Sequence, residues 1–174
     1  VSLDAIKALR EKTSASINDV RAALESAGGD EGKALEFLRA RGAAIAEKRQ
    51  GRATGQGRVE AYVHHDGRIG ALVEVDCETD FVARTPEFQQ FCRDVAMHVA
   101  ALSPRYLRSE DVPPAERPGD VHALCLLEQP FVKDPATTIK DLVKALIAKT
   151  GENVVIRRFA KFGIGEITET QSVG

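Results

Sequence analysis

The chain has 174 residues, of which 43% are apolar and 29% charged, and 24 basic residues nearly balance 26 acidic ones for a net charge of -2. That length holds one ordinary domain or a small module joined to a medium one, and the composition is that of a globular protein, not a disordered or membrane one. No run approaches the roughly 20 apolar residues of a bilayer span, the amphipathic start VSLDAIKALREKT is not a secretory signal, and the near-neutral charge supplies no general attraction for nucleic acid.

Leu3, Ile6 and Leu9 fall at helical spacing, and this first helix should end near Thr13. Ser16-Ile-Asn-Asp19 has the form of a capping box, opening a second helix with Ile17, Val20 and Leu24 on one face. Gly28-Gly29 should end that helix, and Asp30 should cap a third whose stripe is Ala34, Phe37 and Leu38. Three short amphipathic helices can bury one another's faces, which predicts a compact module over residues 1–41. After Gly42 the stretch stays helical but loses its apolar stripe and ends in glycines, as expected of a linker helix over residues 42–57.

At Arg58 the period changes to two. Val59, Ala61 and Val63 alternate, Asp66-Gly67 carries hairpin-turn chemistry, and Ile69, Ala71, Val73 and Val75 alternate again. Thr85-Pro86-Glu87 opens a helix with Thr85 as cap and proline at the first helical position. Phe88, Cys92, Val95 and Val99 form its buried edge, with Phe91 and Leu102 beside them. SPRYLRSEDVPPAERPGD holds four of the seven prolines and should lack regular structure. Ile139, Leu142, Val143, Leu146 and Ile147 mark another amphipathic helix, closed by Gly151, and NVVIRRFAKF alternates enough for a third strand in the hairpin's sheet. The expected fold class is therefore α+β. A three-helix module and linker helix precede a core over residues 58–165, in which a small three-stranded antiparallel sheet packs against helices, and residues 166–174 form a polar tail.

Signals of catalysis are sparse. The chain has no phosphate-binding G-x-x-x-x-G-K-[ST] loop, no G-x-S-x-G elbow and no H-E-x-x-H helix, and Gly55-Gln56-Gly57 precedes a strand where a dinucleotide fingerprint would follow one. Cys77, Cys92 and Cys125 cannot all pair and match no zinc spacing, which suits reduced, mostly buried thiols. His64 and His65, adjacent on a strand, would face opposite ways and could not easily share an ion. No metal and no cofactor are expected. Glu74, Asp76, Glu78 and Asp80 could line one strand face as acid–base groups or magnesium ligands, but a solvated outer face opposite Val73, Val75 and Cys77 explains them without chemistry. The basic clusters at Lys48, Arg49 and Arg52 and at Arg157, Arg158 and Lys161 also read as solvated faces. Thr79-Asp80-Phe81-Val82-Ala83 connects strand to helix; on composition alone Phe81 reads as core packed beneath the Phe88 helix, because aromatics are more often core than tool.

The stretch VEVDCETDFVAR, Val73 to Arg84, closely resembles the T-D-F-V signature of the elongation factor Ts family. LREKTSASINDVRAAL resembles that family's other signature, and GGDEGKALEFLRARG, VEAYVHHDGRIGALVEV, LLEQPFVKD and GENVVIRRFAKF are similar to family segments in the family's order. The resemblance implies a guanine-nucleotide exchange factor for elongation factor Tu in translation elongation, acting by protein binding and making or breaking no bond itself. It implies a ubiquitin-associated-like N-terminal module that docks on the partner's GTPase domain, with Leu9, Arg10, Thr13, Ile17 and Val20 assigned to that contact. It also implies an exchange loop of Thr79, Asp80, Phe81 and Val82, in which Asp80 and Phe81 push in near the partner's magnesium site.

Expected partners are elongation factor Tu, GDP-bound or nucleotide-free, and a second copy through the core sheet, with no direct binding of nucleotide, nucleic acid or membrane. The expected location is a bacterial-type cytoplasm, or an organellar stroma or matrix after removal of a transit segment. Several departures from the family stand out: Ser14 and Ser16 replace usual glycines, Asp76 a common asparagine and Ala160 a cysteine that some relatives carry, and the chain is short between Pro113 and Leu124. Two readings compete. One is an interaction or ribosome-associated module of the same fold without exchange activity; the other is a hydrolase using Glu78 and Asp80.

Overall fold

The computed structural model describes residues 1–13, 15–117 and 119–166. Ser14 and most of the expected tail lie outside the described residues. In chain order the elements are α1 (Leu3–Thr13), α2 (Ile17–Ser26), α3 (Glu31–Arg49), β1 (Gln56–Val63), β2 (Ile69–Cys77), α4 (Asp80–Ala83) and α5 (Pro86–Leu102). They continue as α6 (Val121–Leu124), β3 (Pro130–Phe131), β4 (Asp134–Thr138), α7 (Ile139–Thr150) and β5 (Val154–Gly163). The chain divides into two compact units, one of residues 1–57, 76–88 and 140–155, the other of 58–75, 89–139 and 156–174. The class is α+β, with a small three-stranded antiparallel sheet packed with helices.

In the first unit, local caps set the three N-terminal helices. The Ser16 hydroxyl accepts the Asp19 N–H at 3.1 Å and donates to the Asp19 carboxylate at 2.7 Å, and Asp30 accepts the Lys33 N–H at 3.0 Å. Gly28 and Gly29, with φ of 62° and 87°, turn the chain between α2 and α3 in a conformation that other residues rarely adopt. Ile6, Leu9, Val20, Ala23, Leu24, Ala34 and Leu38 form the shared core, and an Arg41–Asp19 ion pair at 2.9 Å lies outside it. Each large aliphatic side chain buried there contributes about 1.5–3 kcal/mol.

Some expectations need correction. Leu3, Ile17 and Phe37 are 74%, 47% and 49% exposed and do not join the buried residues of their helices' stripes. The third helix and the first part of the expected linker are also one element, since α3 runs unbroken past Gly42 to Arg49. A mid-helix glycine costs only about 1 kcal/mol, and here a Cβ at Gly42 would lie 3.4 Å from the Ala148 Cβ on α7. The helix therefore runs through Gly42 without ending, and an added Cβ there would meet Ala148 at ordinary contact distance.

In the second unit, the sheet has strand order β1-β2-β5. At the hairpin turn, His64 N–H donates to Ile69 O and Gly67 N–H to His64 O, both at 2.8 Å. This register sets Ala61 across from Leu72, so Val59, Ala61 and Val63 share the outward face with Leu72. Their alternation is therefore an outer face, with Val59 64% and Val63 66% exposed, while Arg58, Glu60 and Tyr62 are half-buried on the other side. Ala71, Val73 and Val75 of β2 face the interior, and Ala160 and Phe162 of β5 are exposed.

The buried edge of α5 forms as expected from Phe88, Cys92, Val95 and Val99, but Leu102 is 43% exposed. The two-stranded ribbon β3–β4 has no forerunner in the sequence reading. It is joined to α5 through buried His98, whose Nδ1 accepts the Val132 N–H at 3.2 Å, leaving Nε2 to donate to Gln129 Oε1 at 2.9 Å. Among its described residues the proline-rich stretch forms turns, a 3-10 turn at Ser109–Asp111 and an isolated bridge from Tyr106 to Cys125. No described helix is long and apolar enough to cross a membrane.

Candidate functional site

The link between β2 and α5 is a mounted turn within the first unit. Strand β2 ends at buried Cys77, whose thiol donates to Thr79 O at 3.1 Å. Thr79 is extended and caps the four-residue helix α4, its hydroxyl oxygen 3.4 Å from the Val82 N–H. Thr85 closes the turn, donating its hydroxyl to Val82 O at 2.8 Å and accepting the Phe88 N–H at 3.3 Å, so one helix ends as the next begins. Ala83 is buried, and Thr79, Asp80 and Val82 are half-buried. Phe81 is 80% exposed. Composition favoured it as core; instead it projects to solvent, while Phe88, seven residues on, is fully buried.

A pair of carboxylates holds the turn. Glu152, between α7 and β5, accepts the Glu78 N–H at 3.1 Å and the Thr79 N–H at 3.0 Å on one oxygen, and the Thr79 hydroxyl at 2.6 Å on the other. Glu78 reciprocates: its carboxylate accepts the Asn153 N–H at 2.7 Å and meets the Arg52 guanidinium at 3.4 Å. Asn153 Nδ2 in turn donates to Arg52 O at 2.9 Å. Backbone donors that lie just past a strand end have no ladder partner, and these carboxylates supply one. The Asn153 N–H, with the Arg52 charge, holds the Glu78 carboxyl below the usual glutamate range. Sequence reasoning missed Glu152, Asn153 and Arg52, which stand 101 to 26 positions from their partners.

This geometry weighs against the enzyme readings. Glu78 and Asp80 lie beyond the end of β2, so the four acids do not share one strand face. Glu78 is committed to the turn, Asp80 pairs with Arg84 at 2.8 Å, and Glu74 pairs with Arg158. Glu78 is thus a poor general acid, since that role needs a raised value. Burial pushes the Cys77 thiol up to about 11, the reverse of an activated nucleophile. His64 and His65 sit past the end of β1 with ring centroids 4.2 Å apart and do not face opposite ways on a strand. Among the described residues, no group of three or more His, Cys, Asp or Glu is arranged to hold a metal ion.

The N-terminal residues assigned to partner contact separate by burial. Leu9 and Val20 are interior to the three-helix core and can affect a surface only through the helices that carry them. Thr13 is half-buried, its hydroxyl donating to Leu9 O at 2.6 Å and accepting the Ala15 N–H at 3.3 Å. Arg10 and Ile17 are exposed, Ile17 by 47%.

A three-helix module, a small antiparallel sheet with helices, and an aromatic side chain carried outward on a capped turn define an α+β protein with a projecting surface turn. The family model for Elongation factor TS matches residues 4–117. Proteins named Elongation factor Ts are similar over nearly the whole chain. That of Carboxydothermus hydrogenoformans is 47% identical over 190 aligned positions, covering 92% of this chain and 88% of that one. That of Thermoanaerobacter sp. is 44% identical over 201 positions, covering 99% and 98%, and that of Rubrobacter xylanophilus 46% over 189, covering 92% and 97%. The chain belongs to the elongation factor Ts family of translation elongation factors. An alignment of 201 positions across 174 residues places gaps in this chain.

Proposed function

We propose that this chain binds GDP-bound elongation factor Tu and promotes GDP release by inserting the Asp80–Phe81 turn near the partner's magnesium site, after which GTP rebinds. The observation that carries this reading is the exposure of Phe81 on a turn whose backbone is tied down on both sides. A GTPase holds GDP largely through magnesium and its phosphate loop, so a ring that displaces neighbouring side chains removes part of that coordination. Exchange then follows by linkage: a factor that binds the nucleotide-free partner more tightly lowers GDP affinity by the same ratio. Thr79 and Val82 shape the turn, and Asp80 brings an anionic group beside the ring.

In this reading the N-terminal module docks on the partner's GTPase domain through the surface that carries Arg10 and Ile17. The outward sheet face of Val59, Ala61, Val63, Leu72 and Phe162 is the surface through which two copies would pair, since apolar side chains grouped on one exposed face favour a partner over water. Release of labelled GDP from elongation factor Tu, followed with and without the chain, tests the function. Acceleration at substoichiometric amounts is expected. No acceleration would leave only a binding module of the same fold.

A further inference from the structure

We propose that Glu152 is the positioning residue for Phe81, holding the exchange turn in the geometry in which the ring meets the partner. This rests on the exchange reading above and names the group that makes the turn competent. A buried aromatic is oriented by its neighbours, but Phe81 is 80% exposed and gains little orientation from packing. Its direction is set by the backbone of residues 79–83, a single turn far too short to hold itself in water. The Asp80–Arg84 pair on the turn adds little, because the Arg84 side chain is exposed and the Asp80 side chain nearly half so, and such surface pairs are weak.

The anchoring comes from Glu152. Its two oxygens take three donors from two consecutive residues, the N–H groups of Glu78 and Thr79 and the Thr79 hydroxyl, at 3.1, 3.0 and 2.6 Å. The hydroxyl it orients is also the cap of α4. One carboxylate therefore fixes both the point where β2 leaves its strand path and the residue that starts the turn under Phe81. Glu152 is itself held in place: Gly151, with φ of 72°, reverses the chain after α7, the Glu152 N–H donates to Thr150 Oγ1 at 3.3 Å, and the neighbouring Asn153 N–H is bound by Glu78. Preorganisation of this kind lowers the ordering cost that partner binding would otherwise incur.

The experiment measures GDP release from elongation factor Tu with Glu152→Asp, Glu152→Gln, Phe81→Ala and the double variant Phe81→Ala/Glu152→Asp, each checked for folding by circular dichroism. Glu152→Asp keeps the charge but is one methylene too short to reach all three donors. It should slow release by about 10- to 100-fold, the scale set by misplacing a reacting group by about 1 Å. Glu152→Gln loses the charge but keeps the reach, its amide oxygen accepting the two N–H groups and its amide nitrogen donating to Thr79 Oγ1. It should stay within a few-fold of the unmodified chain. In the double variant the Asp substitution should add nothing to Phe81→Ala, since Glu152 acts only through the ring. A Glu152→Asp chain as fast as the unmodified one overturns the proposal, and so does a loss that recurs in full without Phe81. Phe81→Ala exchanging at the unmodified rate would instead remove the exchange reading on which the proposal rests.

Discussion

Replacing Phe81 by alanine should leave the folded state nearly unchanged, whereas the same replacement at Phe88 should cost several kcal/mol, although the two lie on one short stretch of chain. Full burial of such a side chain contributes about 1.5–3 kcal/mol. With 80% of Phe81 exposed, only about a fifth of that, roughly 0.3–0.6 kcal/mol, is at stake, within the range of ordinary surface substitutions. Phe88 is fully buried, so its loss combines the transfer energy with a cavity and should cost about 3–5 kcal/mol. Urea unfolding followed by far-ultraviolet circular dichroism separates the two. With a slope of about 2 kcal/mol per molar, Phe88→Ala should lower the midpoint by about 1.5–2.5 M and Phe81→Ala by no more than about 0.3 M. A Phe81→Ala chain destabilised by more than about 1.5 kcal/mol would mean that the ring is packed in solution and cannot serve as a projecting wedge.

Further outcomes follow from other parts of the fold. Ser16→Ala removes the cap on α2, whose hydroxyl both accepts from and donates to Asp19, and should cost about 1 kcal/mol, read as faster amide hydrogen exchange in the three-helix module. Gly42→Ala adds a methyl at ordinary contact distance from Ala148 and should raise stability by up to about 1 kcal/mol through helix propensity, whereas Gly42→Val should lower it; thermal unfolding reads both. Burial lowers the pKa of His98, so the unfolded chain takes up that proton first. Its contribution to stability is full above the ordinary histidine value of about 6.5, declines as pH falls below it, and levels off once the folded ring also protonates. Denaturant midpoints measured from pH 7.5 to 5 should fall less steeply in His98→Gln, and identical slopes would contradict this.

Helix ends and the hairpin were readable from sequence because they depend on neighbours: Ser16 with Asp19, Asp30 with Lys33, Thr85 with Phe88, and Asp66-Gly67 between alternating strands. What depended on distant partners was not readable. Alternation shows that Val59, Ala61 and Val63 share a face but not which face is inside, and the hairpin register decides that. Phe37 lies one residue from Leu38 and three from Ala34, so helical spacing alone could not place it. The ribbon of β3 and β4 is two and five residues long, contains prolines and carries no apolar alternation. At the site, the T-D-F-V turn was legible as a motif, but on composition alone Phe81 was assigned to the core. The Glu78 and Glu152 clamp was invisible, because its two halves are 73 to 75 residues apart and a glutamate beside a glycine turn gives no sign of what it will bind.

The most direct measurement is the rate of labelled GDP release from elongation factor Tu at saturating concentrations of the unmodified chain and of Phe81→Ala. If the projecting ring carries exchange, its loss removes an interfacial anchor worth about 2–4 kcal/mol, and release should slow by about 30- to 1,000-fold while the variant remains folded. Equal rates for the two chains would contradict the account.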